Sequence, residues 1–349
     1  MSQFWYEPSA GLSTPFGDTR ARCEICPHAC VLGPGQQGLC RVRMGTGHAV
    51  APVAGQMVLA SGVSAIELHP FFHFFPGSRS FGVGAAGCSA ACDFCQNWEL
   101  ALAPRLDAAW QGVARFDSAA QIVCAALENG CGVIALTYNE PTVWPELFLD
   151  LAETAHSAGL KVVALSSGFL TATARAFILP QLDALKIDLK GHNQAFYRRH
   201  AGIDLRPVLD TLAAALAAGV WCEVSTVIIP GANDTDDAVD SMATHLLDVA
   251  GPGLPWHLQR FFPAYKRLNE AIGDREQLRR LRTRAIERGL PYVYLSNLPQ
   301  DAGRHSFCAT CGALVAERSV GRLAPLAAQC YRCGAPIPGR GLIAPNKVI

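Results

Sequence analysis

The stretch Gly87-Cys88-Ser89-Ala90-Ala91-Cys92-Asp93-Phe94-Cys95-Gln96-Asn97-Trp98 follows a short β-prone run and spaces three cysteines as C-x3-C-x2-C. Three close thiolates can hold three irons of a cubane iron–sulfur cluster, whereas electron carriers normally supply four cysteines and leave no iron open. An open iron can bind a substrate. The alternatives are a zinc site short of its fourth ligand, or three thiols buried as small hydrophobes. The strand-to-loop context favours cluster ligation.

Outward from this loop, short β-branched runs alternate with helical stretches, the pattern of βα units on a parallel sheet. Strands are predicted at 81–85, 132–138, 161–166, 184–189, 221–229, 256–261 and 291–295. Helices are predicted at 118–129, 144–158, 172–179, 205–218, 235–249 and 275–288, several opening after Ser, Thr or Asp and closing at Gly130, Gly159, Gly219 and Gly289. Six or seven such units make a partial or nearly closed barrel, and parallel barrels carry function at the C-terminal ends of their strands. The fold class is therefore α/β. The expected organisation is a Gly-, Pro- and Cys-rich lead-in over 1–78, a partial (β/α)6-type barrel over 79–300 and a tail over 301–349.

Lys+Arg and Asp+Glu number 29 each, so no basic excess suggests a nucleic-acid or anionic-membrane partner. A small or neutral substrate is expected. The start Met1-Ser2-Gln3-Phe4-Trp5-Tyr6-Glu7-Pro8 lacks the basic and apolar regions of a signal peptide, and no apolar run is long enough to span a bilayer. Fourteen cysteines, grouped at metal-ligand spacings, fit a reducing cytoplasm better than a disulfide scaffold. Cys308-x2-Cys311 and Cys330-x2-Cys333, each knuckle followed by glycine, form a structural zinc-ribbon signature. Cys23, Cys26, Cys30 and Cys40 form a looser set, suited to zinc or to an auxiliary cluster. Cys124, Cys131 and Cys222 read as packing residues.

Gly87 before the first cysteine of the triplet and Phe94 before the last resemble the cluster motif of radical S-adenosylmethionine (SAM) enzymes. The resemblance implies a [4Fe–4S] cluster on Cys88, Cys92 and Cys95 that chelates SAM at its open iron. It also implies reductive cleavage to a 5′-deoxyadenosyl radical, which abstracts hydrogen from a substrate. Thr137-Tyr138-Asn139-Glu140-Pro141 stands where the family carries a Gly-Gly-Glu-Pro-like motif, with Glu140 keeping the carboxylate for the methionyl amine. Ser166-Ser167-Gly168 resembles a SAM-adjacent turn in relatives of pyruvate formate-lyase activase. Asp188-Leu189-Lys190 resembles the Asp-x-Lys of glycyl-radical activating enzymes, where both side chains contact SAM, and alternation puts these two on one face. Val227-Ile228-Ile229-Pro230-Gly231 is similar to the adenine-packing strand, and His257 falls where a barrel-facing histidine contacts the cofactor.

The order Cys-x2-Cys-Pro-His-x-Cys, Phe74-Phe75-Pro76-Gly77-Ser78, Cys95-Gln96-Asn97-Trp98, Thr-Tyr-Asn-Glu-Pro-Thr and a C-terminal ribbon looks like the AmmeMemoRadiSam-system radical SAM proteins over nearly the whole chain. Departures are Ser89, where asparagine is usual, and Leu295-Ser296-Asn297, where Gly-Asn is more usual. The resemblance implies an external low-potential electron donor and a small-molecule or protein substrate. A glycyl-radical enzyme activase is the finer alternative, and a non-catalytic iron–sulfur or zinc redox or scaffold protein the alternative of another class.

Overall fold

The apolar runs that alternate with capped amphipathic stretches form one eight-stranded sheet, seen in a computed structural model that describes residues 11–53, 58–106, 116, 118–319 and 325–344. Met1–Pro8, read above for targeting, lies outside the described residues. The strands are β1 (Ala60–Ala65), β2 (Arg79–Gly84), β3 (Val133–Leu136), β4 (Lys161–Ser166), β5 (Ala184–Asp188), β6 (Trp221–Ile228), β7 (Trp256–Arg260) and β8 (Val293–Tyr294). They lie side by side in the order β8-β7-β6-β5-β4-β3-β2-β1. All neighbours are parallel except β1, which pairs antiparallel with β2.

Six helices return the chain from one parallel strand to the next: α1 (Ala119–Glu128), α2 (Pro145–Ser157), α3 (Ala172–Ile178), α4 (Leu205–Ala217), α5 (Asp236–Ala250) and α6 (Arg275–Glu287). Each buries an apolar stripe on the sheet, such as Ile122, Val123 and Ala126 of α1 and Leu278, Leu281 and Ala285 of α6. Side chains of Ser118, Thr171, Thr235 and Asp274 cap α1, α3, α5 and α6 by accepting from backbone N–H groups three residues on. Gly130 and Gly219 turn the chain out of α1 and α4 at φ 63° and 76°. Six βα units thus make the expected partial barrel.

One boundary moves. The lead-in was expected to run to Ser78, yet Ala60–Ala65 is an edge strand of the barrel sheet, in register with β2 from Ala60↔Gly84 to Ala65↔Arg79. Before it, Ser13–Pro15, Ala21–Cys23 and Val31–Leu32 form a small antiparallel sheet, and Arg43–Gly45 pairs with Val50–Pro52. This segment is tied to the barrel by Arg43, whose buried guanidinium donates to both carboxylate oxygens of Glu146 in the first turn of α2, at 2.7 and 2.8 Å. At the opposite end, the tail packs under the N-terminal ends of the strands. Arg318 donates to the Phe72 carbonyl at 2.9 Å, and the Arg340 N–H donates to the His73 carbonyl at 2.8 Å. Among the described residues no helix is long and apolar enough to cross a membrane.

Candidate functional site

The C-terminal ends of the parallel strands open into one cleft of about 920 Å³, counting its solvent-open part. It brings together Cys88, Cys92, Cys95, Glu140, Ser167, Asp188 and Lys190, which the sequence places on four separate strand ends.

The cysteine loop is pinned on several sides. Ala91 and Asp93 donate backbone N–H groups to the carbonyls of Ala201 and His200, at 2.8 and 3.0 Å. The Asp93 carboxylate accepts from Arg267 at 3.0 Å and lies 2.9 Å from His200. The Trp144 indole donates to the Ala86 carbonyl at 2.6 Å. The three thiols are free. Burial pushes Cys92 up to about 12 and raises Cys95 as well, in both cases against the pull of the Lys190 ammonium. A soft metal centre that takes thiolates releases those protons on binding. Three unpaired thiols on a pinned loop, facing a cleft with a cation at its wall, fit an iron–sulfur cluster with one open position.

Glu140 lines the cleft with its carboxylate already bonded to the chain. One carboxylate oxygen accepts from the hydroxyls of Thr142 and Ser166, both at 2.8 Å; the other accepts from the Ser167 N–H at 2.9 Å and its hydroxyl at 2.7 Å. A carboxylate offers roughly four lone-pair positions, so the chain itself fills most of them. Glu140 therefore holds the Ser166-Ser167 turn at the cleft wall and leaves little acceptor capacity for an ammonium. The two residues that replace the family's glycines also have definite tasks. Asn139 accepts from the Ala85 N–H at 3.0 Å and donates to the Gly87 carbonyl at 3.0 Å, clamping the entry to the cysteine loop. Tyr138 sits at φ 70°, a conformation that favours glycine, and its ring lies over Gly62, Gly82 and Gly84. A Cβ on Gly84 would meet the Thr137 carbonyl at 2.7 Å and the Tyr138 ring at 2.8 Å.

Asp188 and Lys190 meet as the alternation required, with Lys190 Nζ donating to Asp188 Oδ2 at 2.9 Å. Two further members were missed. Lys186, nearly fully buried, donates to Asp188 Oδ1 and, at 3.1 Å, to Ser225 Oγ; the Ser225 hydroxyl donates to Asp188 Oδ1 at 2.6 Å. The period-2 alternation that joined Asp188 to Lys190 extends back to Lys186, and the register sets Asp188 beside Ser225. Burial alone would raise the Asp188 carboxyl, but Lys186 and Lys190 hold it well below the usual carboxylate range. Burial likewise opposes the charge on Lys190, yet Asp188 and Cys92 carry its pKa above the ordinary lysine value. Burial lowers Lys186 in spite of Asp188. Val227 and Gln259 complete this wall.

His257 is corrected. It points into the barrel but lies one layer below the cleft, where its Nε2 donates to Glu223 Oε2 at 2.8 Å and its ring packs on Phe72 and Tyr294. Glu223 also accepts from the N–H groups of Phe72 and His73, at 2.9 and 2.8 Å. His73 donates through Nδ1 to the Pro338 carbonyl at 2.6 Å and accepts at Nε2 from Tyr294. This lower layer seats the tail and does not face the cleft. In the tail, Cys308, Cys311, Cys330 and Cys333 lie within 4.8 Å of one another, a geometry fit for one metal ion and consistent with a zinc-ribbon-like segment.

A model of the Radical SAM superfamily matches residues 83–243, from the end of β2 into α5. An uncharacterised protein of Methanocaldococcus jannaschii is 33% identical over 303 residues, covering 87% of this chain and 89% of that protein. An isethionate sulfite-lyase activating enzyme of Nitratidesulfovibrio vulgaris is 26% identical over 159 residues, covering 43% of this chain and 52% of that enzyme. A radical SAM methyltransferase structure from Sphaerobacter thermophilus aligns at a TM-score of 0.47 with 18% identity, over 69% of this chain and 71% of that one. With the matched span beginning at the strand that delivers the cysteine loop, and with a full-length archaeal relative, the chain belongs to the radical SAM superfamily.

Proposed function

We propose that the protein is an enzyme that binds a [4Fe–4S] cluster through Cys88, Cys92 and Cys95 and uses it to cleave SAM reductively. The observation that supports this reading best is the single cleft in which three free thiols face the Lys186–Asp188–Lys190–Ser225 network and the Ser167 turn. Bound there, the cluster with SAM supplies carbon–sulfur cleavage and a 5′-deoxyadenosyl radical that abstracts hydrogen from the substrate. The chain's own part is to bind and orient. Asp188, kept ionised by two ammonium groups, offers a charged acceptor, and Lys190 a charged donor, for the amino-acid end of SAM. Ser167, fixed by Glu140, presents a hydroxyl at the wall, and Val227 gives apolar surface for an adenine. Pinning of the loop by Asn139, Trp144 and Asp93 holds the three sulfurs in place without reorganisation.

The electron comes from an external low-potential donor, and the tail cysteines hold a structural zinc. A redox carrier or scaffold needs no such cleft. The similarity to an isethionate sulfite-lyase activating enzyme favours one finer reading, in which the hydrogen comes from a backbone glycine of a partner enzyme. Reduced, reconstituted protein given SAM should release methionine and 5′-deoxyadenosine, slowly alone and faster with its substrate. Chromatography showing S-adenosylhomocysteine as the main product would overturn the reading.

A further inference from the structure

We infer that the turn Tyr197–Ala201 is a strut that fixes the cysteine loop against the Asp188–Lys190 wall, with Tyr197 and His200 as its positioning residues; this rests on the function proposed above. The chain that leaves β5 runs through a short helical stretch, Gln194–Phe196, into a π-helical turn over Tyr197–Ala201. Such a turn, with its i→i+5 bonds, is a rare expansion of helical geometry that recurs at functional sites. Here it touches the wall and the loop together.

On the wall side, two consecutive aromatic residues clasp the chain just past β5. The hydroxyl of the fully buried Tyr197 accepts from the Lys190 backbone N–H at 2.9 Å, and the Lys190 carbonyl accepts from Asn233 Nδ2 at 3.2 Å. The backbone from which the Lys190 side chain starts is therefore held on both sides. A Cβ on Gly191 would stand 2.1 Å from the Phe196 ring, so the glycine lets that ring close on the chain.

On the loop side, the turn offers its end. The last carbonyls of a helix have no partner within it. Those of His200 and Ala201 take the N–H groups of Asp93 and Ala91, the two residues that flank Cys92. The His200 ring joins the same end, since Arg267 donates to its Nδ1 at 2.7 Å and to the two Asp93 oxygens at 3.0 and 3.2 Å. Gly202 then leaves the turn at φ 67°.

The expansion itself sets the alignment. Taking one residue out of it restores α geometry, in which each residue advances about 100° around the axis, so whatever follows the cut faces a new direction. Tyr197 at the start of the turn and the two carbonyls at its end then no longer serve both surfaces. Arg199 offers the cut, being exposed and outside the cleft lining.

The test compares deletion of Arg199, which removes the expansion, with Arg199→Ala, which keeps it, in the reconstituted full chain. It reads iron content, SAM affinity, the change that SAM makes in the spectrum of the reduced cluster, and amide exchange at Ala91, Asp93 and Lys190. Arg199→Ala should match the parent throughout. The deletion should keep the parent's iron content, lose about tenfold or more in SAM affinity with a weakened spectral response, and lose protection at Ala91 and Asp93. Tyr197→Phe, with the turn intact, should lose about three- to tenfold in affinity at parental iron content and expose the Lys190 amide alone. Where the deletion does not fold or load iron, Tyr197→Phe decides. Parental affinity and spectral response in the deciding variant overturn the inference. A parent whose cluster ignores SAM would count against the proposed function, and amide protection left as in the parent by the deciding variant would still overturn the strut.

Discussion

Replacing Asp188 by alanine removes the shared partner of two lysines, and the structure sets what that should cost. Lys186 is 6% exposed at its side chain and donates to Asp188 and Ser225; without Asp188 its ammonium keeps one neutral acceptor. Breaking a fully buried pair costs about 3–5 kcal/mol, because a charge is left uncompensated. Asp188 is 31% exposed toward the cleft, so water can enter the gap, and we expect about 2–3 kcal/mol. The pH dependence has a definite sign. Lys186 is already depressed by burial, and losing Asp188 depresses it further, so the unfolded chain binds the extra proton between the folded and unfolded pKa values. Stability of the variant relative to the parent therefore recovers as pH rises toward the ordinary lysine range, and the deficit is greatest near neutrality. Urea denaturation across that range measures it. Adding Lys186→Met should return most of the lost stability, since the stranded charge goes with it. SAM affinity should fall roughly ten- to a hundredfold in Asp188→Ala, the loss of about 1.5–3 kcal/mol for one charge-assisted contact. A pH-independent loss below about 1 kcal/mol, unaffected by the second substitution, would refute the assignment of Lys186 as a buried dependent of Asp188.

Three further outcomes follow from the geometry. C88A/C92A/C95A should abolish release of 5′-deoxyadenosine while the tail retains its zinc, read by chromatography and metal analysis. His257→Gln should leave SAM affinity within about twofold of the parent yet lower the urea midpoint, because His257 supports Glu223 and the seat of the tail and does not border the cleft; a tenfold loss of affinity would return it to the cofactor wall. At Tyr138 the usual order of small residues reverses: Tyr138→Gly should be about 1 kcal/mol more stable than Tyr138→Ala, since φ 70° strains any Cβ, and equal stabilities in denaturation would contradict that conformation.

The barrel was legible where local and global signals coincide. Lys161–Ser166 was predicted with its observed bounds, and the six other strand runs overlap theirs, because β-branched residues buried on both faces read as continuous apolar runs. Helix starts were readable at Ser118, Thr171, Thr235 and Asp274, each a side-chain cap. The edge strand Ala60-Ser61-Gly62-Val63-Ser64-Ala65 was not, since it has one β-branched residue and a glycine. Its extended state comes from pairing with β2, and its glycine from the Tyr138 ring beside it, neither of which a local pattern contains.

The site was legible by face but not by depth. Alternation put Asp188 and Lys190 on one face and the family resemblance made His257 barrel-facing, yet β7 carries His257 near its N-terminal end and Gln259 nearer the cleft, and one period of the strand separates a ligand wall from a structural floor. The same step divides β6, where Ser225 serves Asp188 above and Glu223 collects His257, Phe72 and His73 below. Lys186 stands between the layers: it bonds Asp188 and Ser225 above, and its charge depresses His257 and His69 below. Burial is the larger cause for both histidines, so the charges of the lower layer are the Arg318 guanidinium over Phe72 and the Glu223 carboxylate, which His257 and three N–H groups stabilise as the anion. One barrel interior thus holds a charged upper tier open to ligand and a closed lower tier that seats the tail. The lower-tier residues do not border the cleft, which is why substitutions there should move stability far more than SAM affinity.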